Sequence, residues 1–134
     1  MFKRLPKLGE LQKRLKAQCQ ENQFRKGGYI EVAGGTWVWC PSDHKLLNYL
    51  LMGSEAALQN EAICWANMQI MKRGLSGHQL AAVHDEVTFE FDLTEEREGI
   101  QLLTEMYGEA SKKMKLDVLV TGTAQSGRDW SSIH

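Results

Sequence analysis

The chain of 134 residues has no Cys-x-x-Cys pair. Its three cysteines, Cys19, Cys40 and Cys64, are far apart and odd in number. That spacing offers no zinc site and no disulfide framework, and it fits free thiols in a reducing compartment. No apolar run approaches the length of a membrane span. The opening MFKRLPKLGE has no apolar stretch behind its basic residues, so no secretory signal is expected. Internal repeats and low-complexity segments are missing too. The four histidines have no metal-ligand spacing, which disfavours a stand-alone hydrolase built on His44, His78, His84 and Asp85. What remains is a chain of ordinary hydrophobic content, 43%, long enough for one core and at most one domain.

Charge is scarce only in the total. The net value of −1 hides eight basic residues against two acidic ones in the first 26 positions, Lys3, Arg4, Lys7, Lys13, Arg14, Lys16, Arg25 and Lys26 against Glu10 and Glu21. A basic segment on an otherwise acidic chain points to a polyanion or an acidic partner, although a solvated helix face is the commoner outcome.

The stretch Leu80 to Phe91, LAAVHDEVTFEF, organises the rest. Val87, Phe89 and Phe91 alternate with Glu86, Thr88 and Glu90, the period of a half-buried strand. Leu80 to Val83 is an apolar run able to pair with it. His84-Asp85 between them is short enough for a tight hairpin turn and of a type that tolerates unusual backbone angles. The pattern predicts a carboxylate lifted to the tip of a buried hairpin, with Glu86 beside it. A charge there is costly unless a cation or a solvated cleft meets it. The plainer alternative is a turn aspartate that bonds its own backbone.

The remaining elements follow from periodicity. Leu8, Leu11, Leu15 and Cys19 make an apolar stripe on a helix over 8–24, with Pro6 before it and Gly27-Gly28 ending it. Tyr29–Val32 and Thr36–Cys40 read as a hairpin around Ala33-Gly34-Gly35. Trp37 and Trp39 share one face of it; stacking on a base is one role, structural packing the commoner one. Pro41-Ser42-Asp43 starts a long helix, about 44–73, closed by Gly74. Its apolar positions, Leu47, Leu50, Leu51, Leu58, Ile63, Trp65, Met68 and Ile70, spread wider than one stripe. Gly53, in a patch with Ser54, Ala56 and Ala57, lowers helix stability by about 1 kcal/mol relative to alanine and needs a packing or ligand reason. His44, Asn48 and Met52 lie on one face, as an internal polar network or as a reading edge for a ligand. Thr94 caps a third helix, about 95–115, acidic at its start and basic at its end, with a stripe of Ile100, Leu103, Met106, Tyr107, Ala110 and Met114. Leu116 to Thr121 reads as a strand added to the central sheet. The expected class is α+β: a small antiparallel sheet, hairpin plus C-terminal strand, packed by long helices, with an N-terminal helix and hairpin.

Four ordered motifs resemble the C-terminal part of a family A DNA polymerase, the family of bacterial DNA polymerase I, and most closely the replicative polymerases of short-tailed phages. Trp37-Val-Trp-Cys-Pro-Ser-Asp-His44 with Leu46-Leu-Asn-Tyr-Leu-Leu51 looks like the hairpin and helix that precede motif C. Met52-Gly-Ser-Glu-Ala-Ala-Leu58 resembles the segment usually written QG(T/S)AA. Val83-His-Asp-Glu86 is similar to motif C. Asp129-Trp130 and the final His134 resemble the family's usual ending. The resemblance runs from about residue 8 to the end.

It implies a single domain over 1–134, the C-terminal palm portion of a polymerase, with the basic helix of 1–28 coming from the end of the fingers and 29–134 forming palm. It implies that Asp85 is a catalytic, metal-binding aspartate and that Glu86 supports it. His84 would meet the primer terminus, Asn48 and His44 would follow the template duplex, and Arg128 and His134 would approach the active site. Mg²⁺ is the implied cofactor. The implied partners are primer-template DNA, a deoxynucleoside triphosphate and a large polymerase fragment, with no membrane, in a cytoplasmic setting, the host's if a phage encodes the chain.

Two departures stand out. Met52 occupies the usual Gln position, which removes a minor-groove donor. There is also no room for the first catalytic aspartate, a nucleotide-binding fingers helix, a thumb or an exonuclease. Two-metal phosphoryl transfer needs carboxylates around ions ~3.5–4 Å apart, and adjacent strand residues such as Asp85 and Glu86 point to opposite faces. The resemblance then implies that the second aspartate comes from elsewhere, and the expectation is that this chain is the small piece of a split polymerase. The alternatives are a catalytically silent remnant that binds DNA or protein, and a piece cut from a longer polymerase.

Overall fold

The structure, a computed structural model, describes residues 6–133. It is α+β, as expected, with helices and small antiparallel sheets. The chain forms two compact units, Met1–Ala57 and Leu58–His134, the boundary falling inside the second helix.

In the first unit, helix α1 (Pro6–Glu21) buries Leu15 and Cys19, and Leu11 packs beside them. It stops at Glu21. The expected terminator, Gly27-Gly28, instead opens strand β2 (Gly27–Glu31). A Cβ on Gly28 would stand 2.0 Å from the Cys19 carbonyl oxygen, and one on Gly27 2.2 Å from that of Cys40. Glycine is there for close approach of backbones. Strands β1 (Gln23–Phe24), β2 and β3 (Trp37–Cys40) make an antiparallel sheet in sequence order. Tyr29 pairs with Trp39 and Glu31 with Trp37, which puts these four on one face. Ile30 and Cys40 face the other way, into a core with Leu15, Cys19, Val32 and Leu46. Burial there raises the pKa of the Cys19 thiol, with Cys40 and Asp43 adding to it.

Helix α2 (Leu46–Arg73) follows a 3₁₀ turn, Asp43–Lys45. Ser42 precedes that turn without a side-chain cap bond. Asp43 instead pairs with Lys16 on α1 at 3.0 Å. The reason for Gly53 is packing: a Cβ would meet Val32 Cγ1 at 3.0 Å and Val38 Cγ2 at 3.1 Å. Ser54 Oγ accepts from the Ala33 N–H in the same corner. The helix closes at Gly74, in the left-handed region at φ 69.

In the second unit, Leu58, Ala62, Ala66 and Ile70 step by four along α2. They pack with Leu102, Met106 and Ala110 of helix α3 (Glu96–Lys113). The contact stripe adds Ala62 and Ala66 to the expected Leu58 and Ile70; the expected Trp65 packs half-buried against it, whereas Met68 is exposed. On α3 the fully buried leucine is Leu102, and the expected Leu103 packs half-buried against the same core. Thr94 does not cap α3. It lies within a 3₁₀ turn, Leu93–Glu95. The Glu95 carboxylate accepts from Ser76, N–H at 2.9 Å and hydroxyl at 2.6 Å, which lowers its pKa. Strands β4 (His78–Val83) and β5 (Glu86–Glu90) form a two-stranded sheet. Val87, Phe89 and Phe91 pack on the core.

The expected C-terminal strand does not form. Leu116 to Thr121 carries no strand pairing. Val120 instead donates its N–H to the buried Ser111 hydroxyl at 3.1 Å, and that hydroxyl also lies 3.5 Å from the Val120 carbonyl oxygen. A side chain on α3 takes the place of a strand ladder here. No described helix is long and apolar enough to cross a membrane.

Candidate functional site

The turn joining β4 and β5 is His84-Asp85, two residues between the paired Val83 and Glu86. His84 has φ 54. Of the two turn residues it alone adopts the left-handed region, which makes the sharp reversal a two-residue hairpin needs. The turn residues are therefore those read from the sequence, but their setting differs. The tip is exposed, not buried: His84 and Asp85 are open to solvent, and Leu80 and Val83 of β4 are 58% and 52% exposed. The physical reason is that the sheet has two strands only, so β4 has no neighbour on its outer edge among the described residues. Only β5 lies on the core. The desolvation cost expected for the carboxylate is thus small as the chain stands.

Asp85 makes no side-chain hydrogen bond or ion pair among the described residues, so it is not a turn aspartate satisfied by its own backbone. Glu86 is half-buried. Its main-chain carbonyl accepts from Gln59 Nε2 on α2 at 3.4 Å. Gln59 ties the start of β5 to the helix beneath it, a role no motif in the sequence signalled. Nowhere among the described residues do three His, Cys, Asp or Glu groups gather to hold a metal. Mg²⁺ is commonly held by one or two carboxylates with water and substrate phosphates. An exposed Asp85 without a side-chain partner among the described residues fits one such ligand position.

The other expected site residues lie elsewhere in the chain. In the first unit, His44 sits in the turn before α2, its Nε2 3.5 Å from Ser42 Oγ. With Gln12, Lys16, Asp43, Leu46 and Leu47 it lines a surface cleft of about 390 Å³. Asn48 is exposed and donates from Nδ2 to Met52 Sδ at 3.2 Å. The His44, Asn48 and Met52 row is therefore a solvent-facing edge, not a buried network. Arg128 is exposed in the second unit, before the 3₁₀ turn Trp130–Ser132. Asp129 caps that turn through the Ser132 N–H at 3.0 Å, and its bonds, that of the Ser131 hydroxyl foremost, lower its pKa. His134 lies outside the described residues, as do Lys3 and Arg4.

A scan against protein-family models finds no match, and a search of curated proteins finds none either. Among solved structures the chain is similar to the POL domain of Pol1 from M. smegmatis, in a complex with DNA primer-template and dNTP. The TM-score is 0.68 at 24% identity, over 81% of this chain and 20% of that one. The chain spans about a fifth of the length of that structure. The fold described above is that of a segment of a DNA polymerase domain.

Proposed function

We propose that this chain is a polymerase palm fragment that supplies one catalytic carboxylate, Asp85, to a DNA-directed DNA polymerase completed by another polypeptide. The observation that carries the reading is Asp85 itself, exposed on a two-residue turn and engaged by nothing else in the described chain, in a fold similar to a polymerase domain. When bound, Mg²⁺ supplies Lewis-acid activation of the attacking hydroxyl and charge neutralisation at the transferring phosphoryl group. This chain's part is to hold Asp85 at a fixed point. His84 sets the reversal, Gln59 anchors the Glu86 main chain, and Glu86 acts in support beside the ligand. His84 contacts the primer end, Asn48 and His44 follow the duplex, and Arg128 approaches the site. The large fragment brings the second aspartate, fingers and thumb, and with them most contacts to the deoxynucleoside triphosphate. Its strand docks on the open edge of the β4–β5 sheet. The solvent-exposed Leu80 and Val83 on β4 support that docking.

The test is primer extension by this chain mixed with a large polymerase fragment that ends before its last palm hairpin. Extension by the mixture and by neither component alone supports the proposal. Extension by the large fragment alone, or extension indifferent to Asp85→Asn, refutes it. A silent remnant that only binds DNA is the second reading, favoured by Met52 at the usual Gln position. It predicts a complex with no response to Mg²⁺ or Mn²⁺.

A further inference from the structure

The outer face of the β1–β2–β3 sheet carries four aromatic side chains that the core does not use. Phe24, Tyr29, Trp37 and Trp39 are 50%, 37%, 48% and 39% exposed. The register explains why they share a face: Tyr29 lies opposite Trp39, Phe24 opposite Gly27, and Trp37 two residues along β3 from Trp39. The pairing that buries Ile30 and Cys40 on one side forces these rings outward on the other. The Phe24 and Tyr29 ring centroids are 6.2 Å apart at 44°. Trp39 Nε1 donates to the Phe24 carbonyl at 3.4 Å, which fixes the indole on the sheet. Phe24, Tyr29 and Trp37, with Asn22 and Gln23, line an open cleft of about 350 Å³.

A cation completes this face. Arg25 and Lys26 form the two-residue turn between β1 and β2, and Arg25 takes φ 57, a conformation that L-residues avoid. Its guanidinium lies 5.2 Å over the Phe24 ring. The first unit also has the opposite charge balance to the second. Residues 1–57 hold nine basic and five acidic side chains, whereas residues 58–134 hold seven and twelve. Glu31 is the acidic group of the aromatic face, beside Trp37 and away from Arg25.

We infer that this face is a stacking platform for single-stranded nucleic acid. Free bases lie on the rings of Trp37 and Tyr29, with Phe24 holding Arg25 at their side, and the phosphates run past Arg25 and Lys26. The chemistry selects this occupant. Exposed flat rings with cations at one end take unpaired bases of any sequence, whereas a duplex has its base faces already stacked. The large exposed side chains on this face are all aromatic, unlike Leu80 and Val83 on β4, which suit a strand of protein. The inference goes beyond the polymerase reading, since it needs neither metal nor a second chain.

The probe is a fluorescently labelled single strand of about fifteen nucleotides, within the length one such surface covers, as oligodeoxythymidylate and as oligouridylate. Anisotropy is read with the full chain, no divalent metal and no other polypeptide. Binding of either strand, tighter than that of a duplex of equal length, is expected. The two arms separate DNA from RNA as the occupant. Trp37→Ala weakens binding by about tenfold, the loss of one base stack, and Trp37→Phe keeps most of it. Arg25→Ala lowers the slope of log affinity against log salt by about one phosphate contact. Far-ultraviolet circular dichroism establishes that each variant is folded. No preference of the parent chain for single strands over duplex, or a folded Trp37→Ala that binds like the parent, overturns the platform. Either result leaves the Asp85 proposal standing, and loss of primer extension leaves the platform standing.

Discussion

Gln59 Nε2 on α2 reaches the main-chain carbonyl of Glu86 at 3.4 Å, so the residue that follows the proposed metal ligand is tied to a helix. A carboxylate that binds an ion must be held to within a fraction of an ångström, and a free hairpin tip does not provide that. Gln59→Leu removes the tie while leaving Asp85 in place. Primer extension by the reconstituted complex should then drop by about tenfold, corresponding to about 1.4 kcal/mol in the barrier. The thermal midpoint should move little, because the bond is a single long one. A steady-state assay beside a melting curve separates the two effects.

His84 is the strained residue of the turn. An L-residue in the left-handed region costs about 1–2 kcal/mol, least for residues such as Asn and most for β-branched ones. His84→Asn should keep the stability of the chain, and His84→Val should lower it by about 1 kcal/mol or more, read by urea denaturation. If His84→Asn also weakens primer-template binding, the imidazole contributes to the DNA contact as well as to the turn.

Gly53 tests the packing reason for a glycine in mid-helix. Gly53→Val inserts methyl groups where a bare Cβ already lies 3.0 Å from Val32 and 3.1 Å from Val38. The expected destabilisation is about 1–3 kcal/mol, in spite of valine's better helix propensity. A stabilised variant would show that the residue is there for something other than β2 and β3.

Acid sensitivity is expected at the junction of Ser76 and Glu95. The Ser76 hydroxyl and N–H hold the Glu95 pKa below its ordinary value. A group lowered in the folded state stabilises it above the unfolded-state pKa, about 4.3 for Glu, and that contribution is lost as pH falls through the folded value. Stability should therefore decline below about pH 4.3 and do so less steeply in Ser76→Ala. The melting temperature measured against pH for both proteins checks the sign. Glu95 is solvent-exposed enough that the difference should be small.

Much of this was legible in the residues, for definite reasons. The alternation of Val87, Phe89 and Phe91, the two-residue turn and the long α2 are local patterns, and local patterns survive folding. What was not legible depended on partners far along the chain. Leu116 to Thr121 has strand composition, yet the Ser111 hydroxyl, on a neighbouring helix, takes up the backbone of Val120. Gly27-Gly28 looks like a helix stop because nothing local reveals that the Cys19 and Cys40 carbonyls crowd those positions. The apolar run Leu80 to Val83 was expected to be covered; composition cannot say whether the cover is part of the same chain. That β4 is uncovered in the described chain is what the split-polymerase reading requires.

Metal-ion rescue is the most direct measurement of the central claim that Asp85 is a metal ligand in a shared polymerase site. Asp85→Cys, reconstituted with a large polymerase fragment, should lose primer extension by about a thousandfold or more in Mg²⁺, which avoids sulfur, and regain part of it in Mn²⁺, which accepts softer ligands. Full extension by Asp85→Cys in Mg²⁺ would contradict the claim.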